Sequence, residues 1–228
     1  VYRELFARFH GSEINLRTLD MGGDKVLSYF SNTKEANPFL GMRSIRFSLK
    51  NPDIFRQQVR AMLRAGSGHR IRIMFPMISS LDEFLHGRRI TIDCVLELER
   101  DGVLCEQPEI GVMIEVPSVI PVIDAFAVEA DFLSIGTNDL IQYLIAVDRT
   151  NEKVSDLYRP HHPAVLRSLD VIASSAAAHG KDLSVCGDMA HQSEYIPFLL
   201  GIGVDTLSVE PLYLPQVRDD VASIELGD

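Results

Sequence analysis

The feature that most constrains the fold is a regular alternation between short apolar segments and segments with helical periodicity. Short runs rich in β-branched and other apolar residues are typical of parallel strands that are buried on both faces. Six such runs lie at 14–19, 71–75, 110–116, 131–135, 183–186 and 205–209. Apolar residues at helical spacing predict helices at the N-terminus and at 55–63, 81–98, 118–126, 163–178 and 193–200.

Six strand-then-helix units in one direction predict an α/β fold with a parallel sheet, because no Asn-Gly hairpin signal joins adjacent strands. Either a barrel or a doubly wound sheet satisfies this pattern. A (β/α)8 barrel usually needs about 250 residues, and these 228 residues supply only six units, so we expect a fold that is incomplete at its start. No linker or repeat divides the chain, and we therefore expect one domain over residues 1–228.

Composition and net charge limit which kinds of molecule this chain is expected to bind. With 46% hydrophobic and 24% charged residues the chain has an ordinary globular composition. Its net charge of −10 has the wrong sign for non-specific binding to nucleic acid or to an anionic membrane, and a basic protein partner fits better. No apolar run approaches the ~20 residues that span a bilayer. Three cysteines without a CxxC pair argue against a disulfide framework and a zinc site, so we expect a cytoplasmic protein.

Polar and reactive residues stand at or just after the ends of the predicted strands. They are Arg17, Asp20, Glu115, Asn138, Asp139, Cys186 and Asp188. In parallel α/β folds the carboxyl ends of the strands hold the ligand. The sequence therefore places a candidate site at that edge.

Two carboxylates suggest a divalent cation. Glu115 lies in an apolar run, where an unpaired charge would cost several kcal/mol. Asp139 follows a glycine-containing turn between a strand and a helix, whose amides can face an anion. Two hard oxygen ligands with open positions fit Mg²⁺ bridged to a phosphate. A structural ion pair between Glu115 and an arginine, and a helix N-cap at Asp139, are the alternatives.

Arginines supply the complementary positive charge. Arg17, beside the Gly22-Gly23 turn, is well suited to bidentate capture of a phosphate or carboxylate. Arg43 follows Gly41-Met42 and Arg149 follows Ala146-Val147-Asp148, and solvated surface positions are the alternative for both. Lys25 closes the glycine-rich loop. Cys186 is either a small buried hydrophobe or, because it ends a strand, a reactive group.

Together these motifs resemble one family in order along nearly the whole chain. The segments are RTLDMGGDK at 17–25, NPFLGMR at 37–43, IMFPM at 73–77, GVMIEVP at 111–117, SIGTND at 134–139, AVDR at 146–149 and Cys186-Gly187. They resemble the phosphoenolpyruvate-binding domain of Enzyme I of the bacterial phosphotransferase system.

The resemblance implies a TIM-type (β/α)8 barrel of the phosphoenolpyruvate/pyruvate family, truncated at its N-terminus, with about six of eight units present. It implies a phosphoenolpyruvate-protein phosphotransferase, the first enzyme of this sugar transport system. That enzyme binds phosphoenolpyruvate and Mg²⁺ and donates the phosphoryl group to a histidine on its own N-terminal domain, releasing pyruvate. A small histidine phosphocarrier protein then accepts the group, and the enzyme is expected to be a homodimer.

The resemblance also implies roles for individual residues. Arg17, Arg43, Arg149 and Asn138 would bind the substrate. Glu115 and Asp139 would ligate Mg²⁺, and Cys186 would protonate the enolate of pyruvate. Such a division of labour agrees with phosphoryl transfer, which depends mostly on positioning and charge neutralisation.

Some features depart from the family or leave alternatives open. No Gly-Gly-x-x-Ser-His signature is present, so we expect this chain alone to transfer no phosphoryl group. Asp188 stands where the family usually has glutamate. A barrel of the pyruvate phosphate dikinase or phosphoenolpyruvate synthase type, and a regulatory phosphoenolpyruvate sensor of the nitrogen branch, are the alternative interpretations.

Overall fold

The predicted strands are all present in the computed structural model, which describes residues 1–9, 11–20 and 35–224. The strands are β1 Ile14–Arg17, β2 Ile71–Phe75, β3 Glu109–Ile114, β4 Leu133–Gly136, β5 Leu183–Cys186 and β6 Thr206–Ser208. The α-helices are α1 Tyr2–Arg8, α2 Ser44–Lys50, α3 Pro52–Ala65, α4 Leu81–Arg100, α5 Ile123–Glu129, α6 Thr137–Leu144, α7 Pro163–Ala178, α8 Ile196–Gly201 and α9 Leu214–Ser223. Short 3₁₀ helices lie at Pro38–Leu40, Pro117–Val122, Ser155–Leu157, Asp188–Ala190 and Pro211–Tyr213.

The six described strands are parallel and follow one another in the sheet in sequence order. Registers such as Leu16 with Ile73 and Val185 with Leu207 pair the middles of neighbouring strands. This confirms the predicted α/β class with a parallel sheet. The chain divides into two compact units, Val1–Val112 and Met113–Asp228.

Aromatic side chains fill the core of the first unit. Phe75 on β2 contacts Phe55 of α3 edge to face, with ring centroids 5.8 Å apart, and lies 6.0 Å from Phe84 of α4. Gly87 lets α4 approach, because a Cβ there would come 3.0 Å from the Phe75 ring. A capping box starts α4, in which Ser80 accepts from the Glu83 amide and the Glu83 carboxylate accepts from the Ser80 amide. The aromatic faces of α3 and α4 therefore cover Phe75 of β2.

Helices α5 and α7 pack together in the second unit. Phe126 and Leu169 are fully buried there, as is Val185 on β5. The buried Ser175 hydroxyl of α7 donates to Asp124 of α5 at 2.6 Å, which satisfies a polar group within an apolar contact. This hydrogen bond joins α5 to α7 in the second unit.

Prolines explain three of the differences between predicted and observed boundaries. We expected a strand over 110–116, but β3 ends at Ile114 and Glu115 lies just beyond it, because Pro117 lacks an amide and begins a 3₁₀ helix. The helix expected over 118–126 is split by Pro121 into that 3₁₀ helix and α5. Likewise α8 begins at Ile196, with a proline in its first turn, and not at residue 193.

The first strand is shorter than expected. β1 ends at Arg17 and not at residue 19, although the Thr18 amide still donates to the Met74 carbonyl at 3.0 Å. At Leu19 the amide donates to the Gln58 side chain instead of a strand, so the backbone leaves the sheet there. None of the helices within residues 1–9, 11–20 and 35–224 has the length and apolar character needed to cross a membrane.

Candidate active site

Asp20 draws two of the predicted substrate-binding arginines together in the first unit. Its Oδ2 atom lies 3.4 Å from Nη2 of Arg17, and its Oδ1 atom lies 3.3 Å from Nη2 of Arg43. The Ser44 hydroxyl also donates to Oδ1. Sequence analysis placed Asp20 at the strand end but gave it no partner. The structure assigns it the role of holding both guanidinium groups at the end of β1.

Electrostatics keep Asp20 ionised. Burial alone would raise the pKa of its carboxyl group, but the hydrogen bond from Ser44 and the charges of Arg17 and Arg43 together lower the pKa below its ordinary value of 3.8. Arg43 is itself buried and lies over the Phe39 ring, with its guanidinium carbon 5.9 Å from the ring centroid. The result is a fixed patch with net positive charge, which suits an anionic ligand.

Ser44 has an unusual backbone conformation. It begins α2 with a φ of +51°, in the left-handed region, and its side chain is buried. A non-glycine residue in that region costs of order 1 kcal/mol or more, and such strain concentrates at ligand sites. Sequence reasoning missed Ser44, because nothing local marks a serine for this conformation. The predicted contributions of the Gly22-Gly23 turn and of Lys25 lie outside the described residues.

Glu115 and Gly136 lie against each other in the second unit. Glu115 is only 4% exposed. A Cβ at position 136 would come 2.6 Å from Glu115 Oε2, so the absence of a side chain makes room for the carboxylate. Gly136 is also the N-cap of α6, and Asp139 is the third helical residue. The alternative interpretation of Asp139 as an N-cap is therefore wrong, since that position belongs to Gly136.

Asn138, in the first turn of α6 directly after β4, and Asp188, in the turn that follows β5, make reciprocal hydrogen bonds. The Asp188 amide donates to Asn138 Oδ1 at 2.9 Å, and Asn138 Nδ2 donates to Asp188 Oδ1 at 3.2 Å. Beside them the Thr137 hydroxyl donates to the Cys186 carbonyl at 2.8 Å. Cys186 is the last residue of β5 and is partly exposed. Hydrogen bonds therefore connect the segment that carries Asn138, the predicted substrate-binding residue, to the segment that carries Cys186, the predicted acid.

Gly187 is required where these turns meet. Its φ is +96°, and a Cβ would collide with the Thr137 hydroxyl and come within 2.8 Å of Asn138 Oδ1. Both the backbone conformation and the space therefore select glycine. The close approach holds Cys186 next to the start of α6.

Tyr158 and Gln142 complete this side, and sequence analysis identified neither. The Tyr158 hydroxyl donates to the Asn138 carbonyl at 3.4 Å. Burial raises the pKa of Tyr158, and the nearby charge of Asp188 raises it further against the opposing effect of Arg149. Gln142 is buried one helical turn after Asn138, and its Oε1 accepts from the Arg149 amide at 3.3 Å. The sequence signal for Gln142 was its spacing of four residues from Asn138, because residues i and i+4 share one face of a helix.

Gln142 also organises the segment that leads to Arg149. Its carbonyl accepts from the Val147 amide at 3.0 Å, and Ala146 between them has a φ of +56°. Among the described residues, the buried Nε2 of Gln142 has no hydrogen-bond partner. The buried side chain of Gln142 therefore holds the backbone from which the exposed Arg149 side chain extends.

The donor set at this edge suits a hard cation only in part. In the part of the chain that the structure describes, no group of three or more His, Cys, Asp and Glu side chains is arranged to hold a metal ion. Glu115 and Asp139 offer two carboxylates, and Gly136 leaves room for the first of them. Two carboxylates fit Mg²⁺, which usually keeps waters and takes further oxygens from a bound phosphate.

A substitution at Gly187 tests the crowding between the two turns. Gly187→Ala is expected to lower the free energy of unfolding by about 2 kcal/mol or more, since it adds a collision to an unfavourable φ. Gly180→Ala is the matched control, because Gly180 also has a positive φ of +61° but lies in open space, and it should cost only about 1 kcal/mol. Denaturant unfolding measures both; equal losses would contradict the proposed crowding.

A pH series tests the electrostatic role of Asp20. Because its folded pKa is lowered, ionised Asp20 stabilises the fold above its ordinary value of 3.8, and this stabilisation is lost as the pH falls through the lowered pKa. The difference in free energy of unfolding between wild type and Asp20→Asn should be constant from about pH 7 to 5 and shrink below about pH 4. Exposed Asp53→Asn is the control. A difference that grows on acidification would refute this assignment.

Comparison with known proteins agrees with these motifs. The family model for the PEP-binding domain of PEP-utilising enzymes matches residues 1–226. A protein of Priestia megaterium named phosphoenolpyruvate-protein phosphotransferase is 44% identical over 228 residues, covering 100% of this chain and 40% of that protein. One of the same name from Mycoplasma capricolum is 47% identical over 212 residues, covering 92% of this chain and 37% of that protein.

A solved structure supports the fold. A citrate lyase from Burkholderia xenovorans is similar with a TM-score of 0.56 at 18% identity, over 72% of this chain and 53% of that one. At that identity the likeness concerns the fold alone. The chain spans about two fifths of the length of the two relatives named above. On the strength of the family match over residues 1–226, this chain belongs to the PEP-binding domain family of PEP-utilising enzymes.

Proposed function

We propose that this domain binds phosphoenolpyruvate and supplies its phosphoryl group to a histidine on a separate N-terminal domain of a longer enzyme, with release of pyruvate. The observation that carries the proposal is the family match, which spans every candidate ligand between Arg17 and Cys186. Relatives named phosphoenolpyruvate-protein phosphotransferase over nearly the whole chain favour this transferase activity. In its complete form the fold would be a TIM-type (β/α)8 barrel, of which this chain carries about six units.

Positive charge and fixed donors would bind the substrate. We assign Arg17 and Arg43 to its anionic groups, because Asp20 orients both guanidinium groups without neutralising them together. Arg149 and Asn138 of the second unit are likewise assigned to substrate binding. A planar guanidinium suits bidentate contact with phosphate or carboxylate, and such oriented donors stabilise the charge that moves during transfer without reorganising.

Glu115 and Asp139 are the residues that would hold Mg²⁺. When bound, this ion would neutralise phosphate charge and orient the phosphoryl group. Glu115 is kept close to the backbone by the missing side chain of Gly136, and its burial strengthens its attraction for a cation. Asp139 stands in the first turn of α6.

Cys186 would provide the proton for the carbon centre. Once the phosphoryl group has left, the enolate needs a proton on its methylene carbon to become pyruvate, and a thiol is a plausible acid for that step. The partly exposed Cys186 ends β5, and its carbonyl is held by Thr137. This contact fixes the backbone that carries the thiol.

The wider role of the protein follows from the same proposal. A small histidine phosphocarrier protein would accept the phosphoryl group in a cytoplasmic phosphotransferase system that serves sugar transport. The net charge of −10 favours a basic face on such a partner. We also propose that the complete enzyme is a homodimer.

Binding measurements on the full-length protein test the proposal directly. Calorimetry should show that phosphoenolpyruvate binds with Mg²⁺ present. Glu115→Gln should raise the Mg²⁺ concentration needed by about tenfold or more, because the neutral amide removes one anionic ligand. Exposed Glu152→Gln is the control. Wild type that does not bind phosphoenolpyruvate would refute the function, and unchanged Mg²⁺ dependence in Glu115→Gln would refute the metal ligand.

A second experiment separates binding from proton transfer. In the full-length enzyme Cys186→Ala should leave phosphoenolpyruvate and Mg²⁺ binding nearly unchanged while pyruvate formation slows by about 10²- to 10⁴-fold, as expected for loss of a general acid. Partly buried Cys105→Ala is the control for loss of a thiol. A normal rate in the folded variant would contradict the catalytic assignment and leave Cys186 as a packing residue.

A further inference from the structure

The paired contact between Asn138 and Asp188 determines which way the Asn138 amide faces. A backbone N–H can only donate, so the atom that contacts the Asp188 amide at 2.9 Å must be the carbonyl oxygen of Asn138. A carboxylate can only accept, so the atom that faces Asp188 Oδ1 at 3.2 Å must be the amide nitrogen. Both contacts require the same orientation. The alternative rotation of the amide would break both at once.

Neighbouring contacts hold the frame in which this pair forms. The Tyr158 hydroxyl donates to the Asn138 carbonyl, and the Thr137 hydroxyl donates to the Cys186 carbonyl. Gly187 allows the two turns to approach, because any Cβ there would meet the side chains of Thr137 and Asn138. The backbones on both sides of the pair are therefore fixed before a ligand arrives.

The pair occupies one hydrogen and the carbonyl oxygen of the Asn138 amide. One of the two hydrogens on Nδ2 is directed to a carboxylate, which makes that hydrogen bond charge-assisted. The carbonyl oxygen of the same amide is occupied by the Asp188 backbone. The remaining hydrogen on Nδ2 is consequently the group that the side chain can offer to an anion.

We propose that Asp188 is a positioning residue that fixes the Asn138 amide with its N–H₂ group as the donor to an anionic substrate. This rests on the proposed function, in which Asn138 contacts phosphoenolpyruvate. Asp188 is itself exposed and acts through Asn138. Its carboxylate and its backbone amide both contribute, and only the carboxylate can be removed by substitution.

Binding of phosphoenolpyruvate to the full-length protein with Mg²⁺ tests this inference. Asp188→Ala should weaken binding by about tenfold, comparable with the loss of one charge-assisted hydrogen bond. Asp188→Asn should bind within about twofold of wild type, because its side-chain oxygen can still accept from Asn138. Asp219→Ala, which removes an exposed aspartate on α9, is the charge control and should bind normally.

A double-mutant cycle shows whether Asp188 acts through Asn138. Asn138→Ala alone should weaken binding, and the double variant Asn138→Ala/Asp188→Ala should bind no more weakly than Asn138→Ala. In the ligand-free protein, the side-chain amide signals of ¹⁵N-labelled Asn138 should shift in Asp188→Ala and stay close to their wild-type positions in Asp188→Asn and Asp219→Ala. A merely structural role would not produce this pattern.

Several outcomes would overturn the inference. Asp188→Ala that binds like Asp219→Ala, Asp188→Asn that binds as weakly as Asp188→Ala, or additive losses in the double variant would each show that Asp188 does not position Asn138. Where the wild type binds phosphoenolpyruvate, any one of these outcomes overturns the inference and leaves the proposed function standing. Wild type that binds no phosphoenolpyruvate removes the proposed function and this inference with it.

Discussion

Parallel strand pairing is the constraint on which the candidate site depends. In a parallel ladder, neighbouring strands point the same way, so their carboxyl ends and the turns that follow them meet at one edge. Leu133 pairs with Leu183, and this register brings Gly136 beside Cys186. The contacts of Thr137 with the Cys186 carbonyl and of Asn138 with Asp188 follow directly from that alignment. A shift of one residue would separate all of them.

The two units stabilise the polar groups at their strand ends by different interactions. The first uses charge, since Asp20 is stabilised by Arg17, Arg43 and the Ser44 hydroxyl, which together outweigh its desolvation. The second uses neutral and charge-assisted hydrogen bonds between turns, together with glycines at positions 136 and 187 that admit close approach. Both solutions orient donors before a ligand binds, which is the property that electrostatic catalysis requires.

Several side chains at the candidate site hold the backbone of neighbouring residues, which supports the roles proposed for them. Thr137, Gln142 and Tyr158 form hydrogen bonds to backbone atoms of the candidate site residues Cys186, Arg149 and Asn138. A carbonyl or amide held in this way fixes the position of a side chain at little entropic cost. Phosphoryl transfer depends more on such positioning than on any single reactive group.

Sequence alone determined the fold class and six strands close to their observed bounds, and it proposed the polar residues at the strand ends as candidate site residues. Hydrophobic periodicity is a local property, and the motif that contains Asn138 and Asp139 is contiguous, so both can be recognised without a structure. Only the tertiary structure decided which residues contact one another. Asp20 pairs with two arginines, and Asp188 accepts a hydrogen bond from Asn138. Tyr158 donates to the Asn138 backbone, and Gln142 accepts from the Arg149 backbone. Asn138 and Asp188 are 50 residues apart, and Ser44 lies 24 residues from Asp20. Such pairings arise from strand register and from turns whose backbone conformation no local pattern encodes.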